Sequence, residues 1–182
     1  MNFVEPIRDP EKVQDIAEYL KFKNQRNYIM FMMGIYSGLR ISDILKLKIK
    51  DVKGRQSISL REQKTNKLRN FEINPKLKKA LDDYCQDKDP EDFLIKSREK
   101  YNKPITRSMA YKILRDVANK FDIESMGTHS MRKTFGYHFY IQTKDVVTLQ
   151  KIFNHNHPGV TLRYIGIEQQ AINDAIKRFR IF

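Results

Sequence analysis

The chain has 182 residues, enough for one domain with a real core, and 40% hydrophobic content with 7 Gly and 6 Pro excludes a low-complexity sequence. Lys and Arg number 35 against 22 Asp and Glu, a net charge of +13 that favours a polyanionic partner, nucleic acid first and an anionic membrane second. The single cysteine, Cys85, excludes an internal disulfide and a cysteine-based zinc site, and the longest apolar patch, "IMFMMGIY" at 29–36, is far short of the roughly 20 residues that span a bilayer.

The first stretch, "MNFVEPIRDPEK", lacks the apolar run of a signal peptide, so the expectation is a soluble, cytoplasmic protein. Asp9-Pro10-Glu11 reads as a helix start, with Asp as cap, Pro in the first turn and an acid behind it. Ile16, Tyr19, Leu20 and Phe22 give that helix an apolar face. A second helix is predicted over 24–37, stopped by Gly38, and the short helix "ISDILKL" follows. The period then changes to two. "SISLREQ" and "RNFEIN" alternate on either side of the polar "KTNK" and predict a β-hairpin, with "IKDVKG" (49–54) as a candidate preceding strand.

Asn74-Pro75 opens a helix to about residue 86, "DKDPED" is a surface loop, and Thr106 caps a helix through Lys120. "THSMRKTFGYHFY" (128–140) is a helix that Thr128 can cap, followed by helices over 145–153, around 160–165 and over 168–180. The expected fold class is α+β, mainly α-helical with a small antiparallel sheet, as a single domain over 1–182.

Four clusters carry polar chemistry. In 128–140, His129 and Arg132 are three residues apart on one helix face, beside a Met131–Phe135–Phe139 stripe expected to anchor the helix in the core. Arg40 leaves a junction between two apolar helices, where a guanidinium needs an anion; Asp43 is a local carboxylate able to pair with it or to orient it toward a phosphate. Lys64 sits in the hairpin turn, with Lys67 and Arg69 as competitors. "LQKIFNHNHPGVTLRYIG" brings His155, His157 and Tyr164; without Cys or a His-Glu-x-x-His pattern it makes no metal site. Taken singly, each cluster has an ordinary reading as amphipathic or solvated surface.

Together and in order, "SGLRISDILKL", a lysine hairpin, "HSMRK" and "FNHNHPGVTLRY" resemble the tyrosine recombinase (phage integrase) family over essentially the whole chain. The resemblance places Arg40 on the family's first Arg, Lys64 on its hairpin Lys, His129 and Arg132 on its His-x-x-Arg box, His155 on its second His and Tyr164 on its nucleophile. His157 falls outside that register. Phe153-Asn154 stand where the family has Leu-Gly, and Asn tolerates the left-handed backbone that Gly supplies there. The family's N-terminal DNA-clamping domain has no counterpart, since Asp9 already opens the first catalytic-domain helix, so this domain is expected to be absent.

The resemblance implies DNA breakage and rejoining through a 3′-phosphotyrosyl link, without metal or cofactor. Arg40 and Arg132 would clamp the non-bridging oxygens, His155 would bond the phosphate, His129 would help deprotonate Tyr164, and Lys64 would protonate the leaving oxygen. Lys46, Lys48, Lys67, Arg69, Arg107, Lys112 and Arg163 are the expected contacts to double-stranded DNA. His138, Tyr137 and Tyr140 are assigned to packing or surface roles. Ile172, Ile176 and Phe179 at helical spacing are read either as packing on their own domain or as a contact to a neighbouring protomer in a homo-oligomer. The alternative functions are a DNA-binding regulator with this fold but no productive strand exchange, and a type IB topoisomerase-like relaxase.

Overall fold

A computed structural model describes residues 4–99 and 101–181. Helix α1 (Pro10–Lys23) starts as expected, with Asp9 accepting a hydrogen bond from the Glu11 amide at 2.9 Å. It buries Ile16 and Leu20. Phe22 leaves this face and is 86% exposed, because two residues past Leu20 is ~200° around the helix. Asn24 ends α1 and caps α2 (Gln25–Ser37), whose residues 29–34 are all buried. Gly38 stops α2 in the left-handed conformation at φ 61°.

The short α3 (Ile41–Ile44) follows, and then a 3₁₀ turn at Ile49–Asp51 where a strand was expected. The Asp51 carboxylate folds back to accept the Lys48 amide at 2.8 Å, closing that segment into a turn. Strands β1 (Ser57–Arg61) and β2 (Leu68–Glu72) pair antiparallel with Ile58 opposite Phe71, forming the hairpin.

Helix α4 (Pro75–Cys85) is capped by Asn74, and α5 (Arg107–Lys120) by Thr106, which accepts the Met109 amide. Helix α6 (Thr128–Thr143) begins one residue differently from expectation: Gly127 takes the cap position, and Ser130 Oγ accepts its amide at 3.1 Å. Helices α7 (Val146–Phe153), α8 (Pro158–Tyr164) and α9 (Ile167–Arg178) complete the chain. Among the described residues no helix is long and apolar enough to cross a membrane.

The apolar interior falls into two clusters. The larger joins α1 through α5, the hairpin and Met131 of α6. The smaller is built on Leu149, Phe153 and Ile165, with Phe135, Phe139 and Tyr164 packed against it. The stripe expected to anchor α6 is therefore split. Met131 is in the large core, whereas Phe135 and Phe139 face α7 and α8.

Candidate active site

The seam between the two clusters holds the site, and Arg132 spans it. Its guanidinium donates to the Gly38 carbonyl at the end of α2 and to the Phe153 carbonyl at the end of α7, the latter at 3.0 Å, and it lies 4.3 Å from the centroid of the Phe153 ring. Arg132 is 2% exposed. Burial, with Arg40 adding to it, lowers its pKa to about 10, so it stays charged at neutral pH.

Arg40 enters from the α2–α3 junction. The expected partner, Asp43, does not take it; the buried Asp43 carboxylate instead accepts the Gln63 amide at 2.8 Å. Arg40 pairs with Glu62, at the end of β1, at 3.1 Å. Glu62 is 3% exposed and also accepts from Thr65 at 2.8 Å. Burial would raise the Glu62 pKa, but the Thr65 hydrogen bond and the charges of Arg40 and Arg69 outweigh it and hold the carboxyl below its ordinary range.

Arg69 departs from the expected role of DNA contact. It points inward, donates to the Ser37 carbonyl at 3.1 Å, lies 3.5 Å from the second Glu62 oxygen and stacks over Phe71. It sits on the β2 face that turns toward α2, where the alternation of the strand decides direction.

His155 and Tyr164 belong to the smaller cluster. The αL conformation of Asn154, φ 55° and ψ 45°, ends α7 and turns the chain into the His155 loop, as the Asn-for-Gly reading required. His155 Nδ1 lies 3.0 Å from Thr161 Oγ1, which fixes the ring; among the described residues Nε2 takes no hydrogen-bond partner. The His155 and Tyr164 rings meet edge to face, 5.3 Å between centroids, and Phe153 touches both. Burial, then the charges of Arg132, Arg40 and Lys64, pull His155 down to about 4, so it is a neutral imidazole at pH 7. Burial raises the Tyr164 phenol, while Arg132 and Arg40 oppose that rise.

Gly136 of α6 makes this approach possible. A Cβ there would lie 2.7 Å from Ile165 Cγ2 and from Phe153 Cε2 and Cζ.

His129 occupies the exposed face of the first turn of α6. Partial desolvation of the ring by the packed surface around it lowers its pKa, followed by the charges of Arg132, Arg107, Lys133 and Arg40, so it belongs to the same electrostatic cluster. Among the described residues its ring does not contact Tyr164; the His155 ring does. Lys64 is exposed in the hairpin turn, and its charge reaches His155. Lys67 ties that turn over the site, with Nζ 3.0 Å from Asn154 Oδ1.

Of the other cations, Lys46, Arg107 and Lys112 are exposed. Lys48 pairs with Glu91 at 2.9 Å, and Arg163 pairs with Glu168 at 2.8 Å. Sequence reasoning missed Glu62, Thr161 and Lys133. Lys133 is buried with Nζ 5.2 Å from the Tyr164 ring centroid, and its pKa is lowered by burial. Only the odd placement of Glu62, an acid at the end of an alternating strand beside a lysine turn, offered a signal.

A model of the "Phage integrase family" matches residues 8–171. A probable integrase/recombinase of Bacillus subtilis (strain 168), YoeC, is 46% identical over 179 residues, 98% of this chain and 98% of that protein. A tyrosine recombinase of Pseudothermotoga lettingae is 27% identical over 173 residues, 93% of this chain but 59% of that protein. Among solved structures, XerA recombinase superposes with a TM-score of 0.75 at 23% identity, over 97% of this chain and 66% of XerA. A post-cleavage complex of XerH recombinase with its palindromic difH substrate superposes with a TM-score of 0.73 at 18% identity, over 97% of this chain and 54% of XerH.

Proposed function

Because this chain belongs to the phage integrase family, we propose that it is the catalytic domain of a site-specific recombinase, breaking and rejoining DNA with Tyr164 as nucleophile. The observation that carries the reading is the seam itself: two guanidiniums, a neutral imidazole and a phenol, from three separate stretches of chain, converge on one place.

In this reading Tyr164 Oη attacks a backbone phosphorus, and the bond from phosphorus to the 5′-oxygen breaks. The products are a 3′-phosphotyrosyl link and a free 5′-hydroxyl. One phosphodiester replaces another, so rejoining by the reverse step needs no ATP. Arg40 and Arg132 face the charge that grows on the non-bridging oxygens; each comes pre-oriented, one by Glu62 and the other by two backbone carbonyls. The Tyr164 phenol, its pKa raised by burial, needs a base; His155, pulled down to about 4, and His129, lowered from its ordinary value, are the imidazoles of this cluster able to accept its proton. His129 takes that role, His155 bonds the phosphate through Nε2, and Lys64 in the hairpin turn protonates the leaving 5′-oxygen.

Lys46, Lys67, Arg107 and Lys112 supply backbone contacts to duplex DNA around this centre. Lys48 and Arg163 join them by exchanging weak, solvent-exposed ion pairs for phosphate. Helix α9 has no buried residue, and Ile172, Ile176 and Phe179 are 48%, 68% and 67% exposed, which supports the reading of this face as a contact to a second protomer on DNA.

The test is covalent trapping. Wild type and Tyr164→Phe are incubated with nicked suicide duplexes, including DNA flanking the gene, and an SDS-resistant protein–DNA band is sought. Wild type is expected to give the band and Tyr164→Phe none, with equal DNA binding. Binding by both without a band would replace this reading with a DNA-binding regulator. Relaxation of supercoiled plasmid without sequence preference would replace it with a relaxase.

A further inference from the structure

The far end of α2 carries a second concentration of charge. Arg26 and Gly38 are about 12 residues apart along α2, so this region lies ~18 Å from the seam. Here the last turn of α1, the first turn of α2, the end of α4 and residues 96–98 enclose a cleft of about 500 Å³. Lys21, Lys23, Arg26, Lys88, Lys96 and Arg98 line it. Among the described residues only Lys96 has a carboxylate within ion-pair distance, Asp92 at 2.6 Å.

Two features separate this from an ordinary solvated surface. Arg26 is held in place, donating to the Lys96 carbonyl at 3.1 Å and to Asn27 Oδ1 at 2.9 Å, and burial and the facing Arg98 charge both lower its pKa. Fixed cations crowded without counter-charge raise the local affinity for an anion. The second feature is Phe22, which lines the cleft and is 86% exposed, the most exposed phenylalanine among the described residues. Among the described residues, little covers its ring.

We infer that this cleft binds a single strand of nucleic acid, its phosphates held by Lys23, Arg26 and Arg98 and a base stacked on Phe22. A bare aromatic ring among cations of which only Lys96 has a carboxylate partner among the described residues matches a ligand that alternates anionic phosphates with flat bases, and such binding is tolerant of sequence. The site is separate from the catalytic face, so the protein would hold an unpaired strand at one end of α2 while duplex DNA occupies the other.

The experiment uses the full chain with Tyr164→Phe as background, so that no covalent trapping intervenes. Binding of a fluorescein-labelled oligothymidylate is followed by anisotropy across a salt series, and an iodouracil-bearing oligonucleotide is photo-crosslinked and mapped. Adding Phe22→Ala is expected to weaken oligothymidylate binding about tenfold. Adding Lys23→Glu with Arg98→Glu is expected to lower the salt slope by ~0.7 for each lost phosphate contact. Crosslinks should fall on Phe22. All three side chains are exposed, so the fold is retained. Unchanged binding in these variants, or crosslinks confined to the catalytic face, would overturn the inference. So would polyglutamate that competes equally well against the background protein and Phe22→Ala, which would reassign the cleft to an acidic protein segment.

Discussion

Glu62 holds Arg40 across the molecule, with Oε2 3.1 Å from Nη1, while its other oxygen lies 3.5 Å from Arg69. One buried carboxylate thus pairs with the Arg40 guanidinium at the seam and with a second guanidinium, Arg69, behind it. Glu62→Ala would leave both guanidiniums unpaired in a dry setting. The expected loss is about 3–5 kcal/mol, read from the urea midpoint. Glu62→Gln keeps an acceptor and should lose less stability, yet slow adduct formation while duplex binding holds, since the site becomes more positive.

Arg132→Lys separates charge from geometry. A lysine keeps the charge but cannot reach the Gly38 and Phe153 carbonyls together while facing a phosphate. Single-turnover cleavage at saturating DNA is expected to fall by about 10²–10³. Retention of more than half the wild-type rate would show that charge alone suffices there.

Gly136→Ala tests the close approach beneath Tyr164. The added methyl meets Phe153 and Ile165 at 2.7 Å, and α8 must shift to make room. We expect a loss of about 1–3 kcal/mol in thermal or chemical unfolding. Adduct formation should drop further than duplex binding, because Ile165 adjoins Tyr164, the proposed nucleophile.

His155 makes stability depend on pH. Its folded pKa is about 4, below the ordinary value of 6.5, so between these limits the unfolded chain binds a proton that the folded chain refuses. Stability is full above pH 6.5 and is lost as pH falls toward 4. His129 is lowered too and acts in the same direction. Urea midpoints measured across this range should flatten in His155→Gln.

Ile176→Glu with Phe179→Asp probes the bare face of α9. Both side chains are exposed, so unfolding should change by no more than about 0.5 kcal/mol. If the face meets a second protomer, sedimentation on DNA should shift to the smaller species. An unchanged complex would remove α9 from the interface.

The family was readable without coordinates. Arg40, His129, Arg132, His155 and Tyr164, each ordinary when taken singly, gained their meaning from their joint order and spacing along the chain, and helix caps such as Asp9, Asn74 and Thr106 act within a few residues. The hairpin followed from its period, and Asn154 from the backbone freedom of Asn. The segment at Ile49–Asp51 was misread because short apolar runs suit strand and turn alike, and one bond from Asp51 to the Lys48 amide decided it.

Which partners those residues take was fixed only by tertiary structure. Glu62 supplanted Asp43 beside Arg40 because the hairpin folds over the α2–α3 junction, a contact between residues 22 apart. Arg69 turned inward, and Phe22 outward, because strand alternation and helical rotation point each side chain before charge or hydrophobicity has any say. Local sequence sets the conformational preferences of a few neighbouring residues. The seam that joins Arg132 to Gly38 and Phe153 depends on how two apolar clusters meet, and that meeting belongs to the chain as a whole.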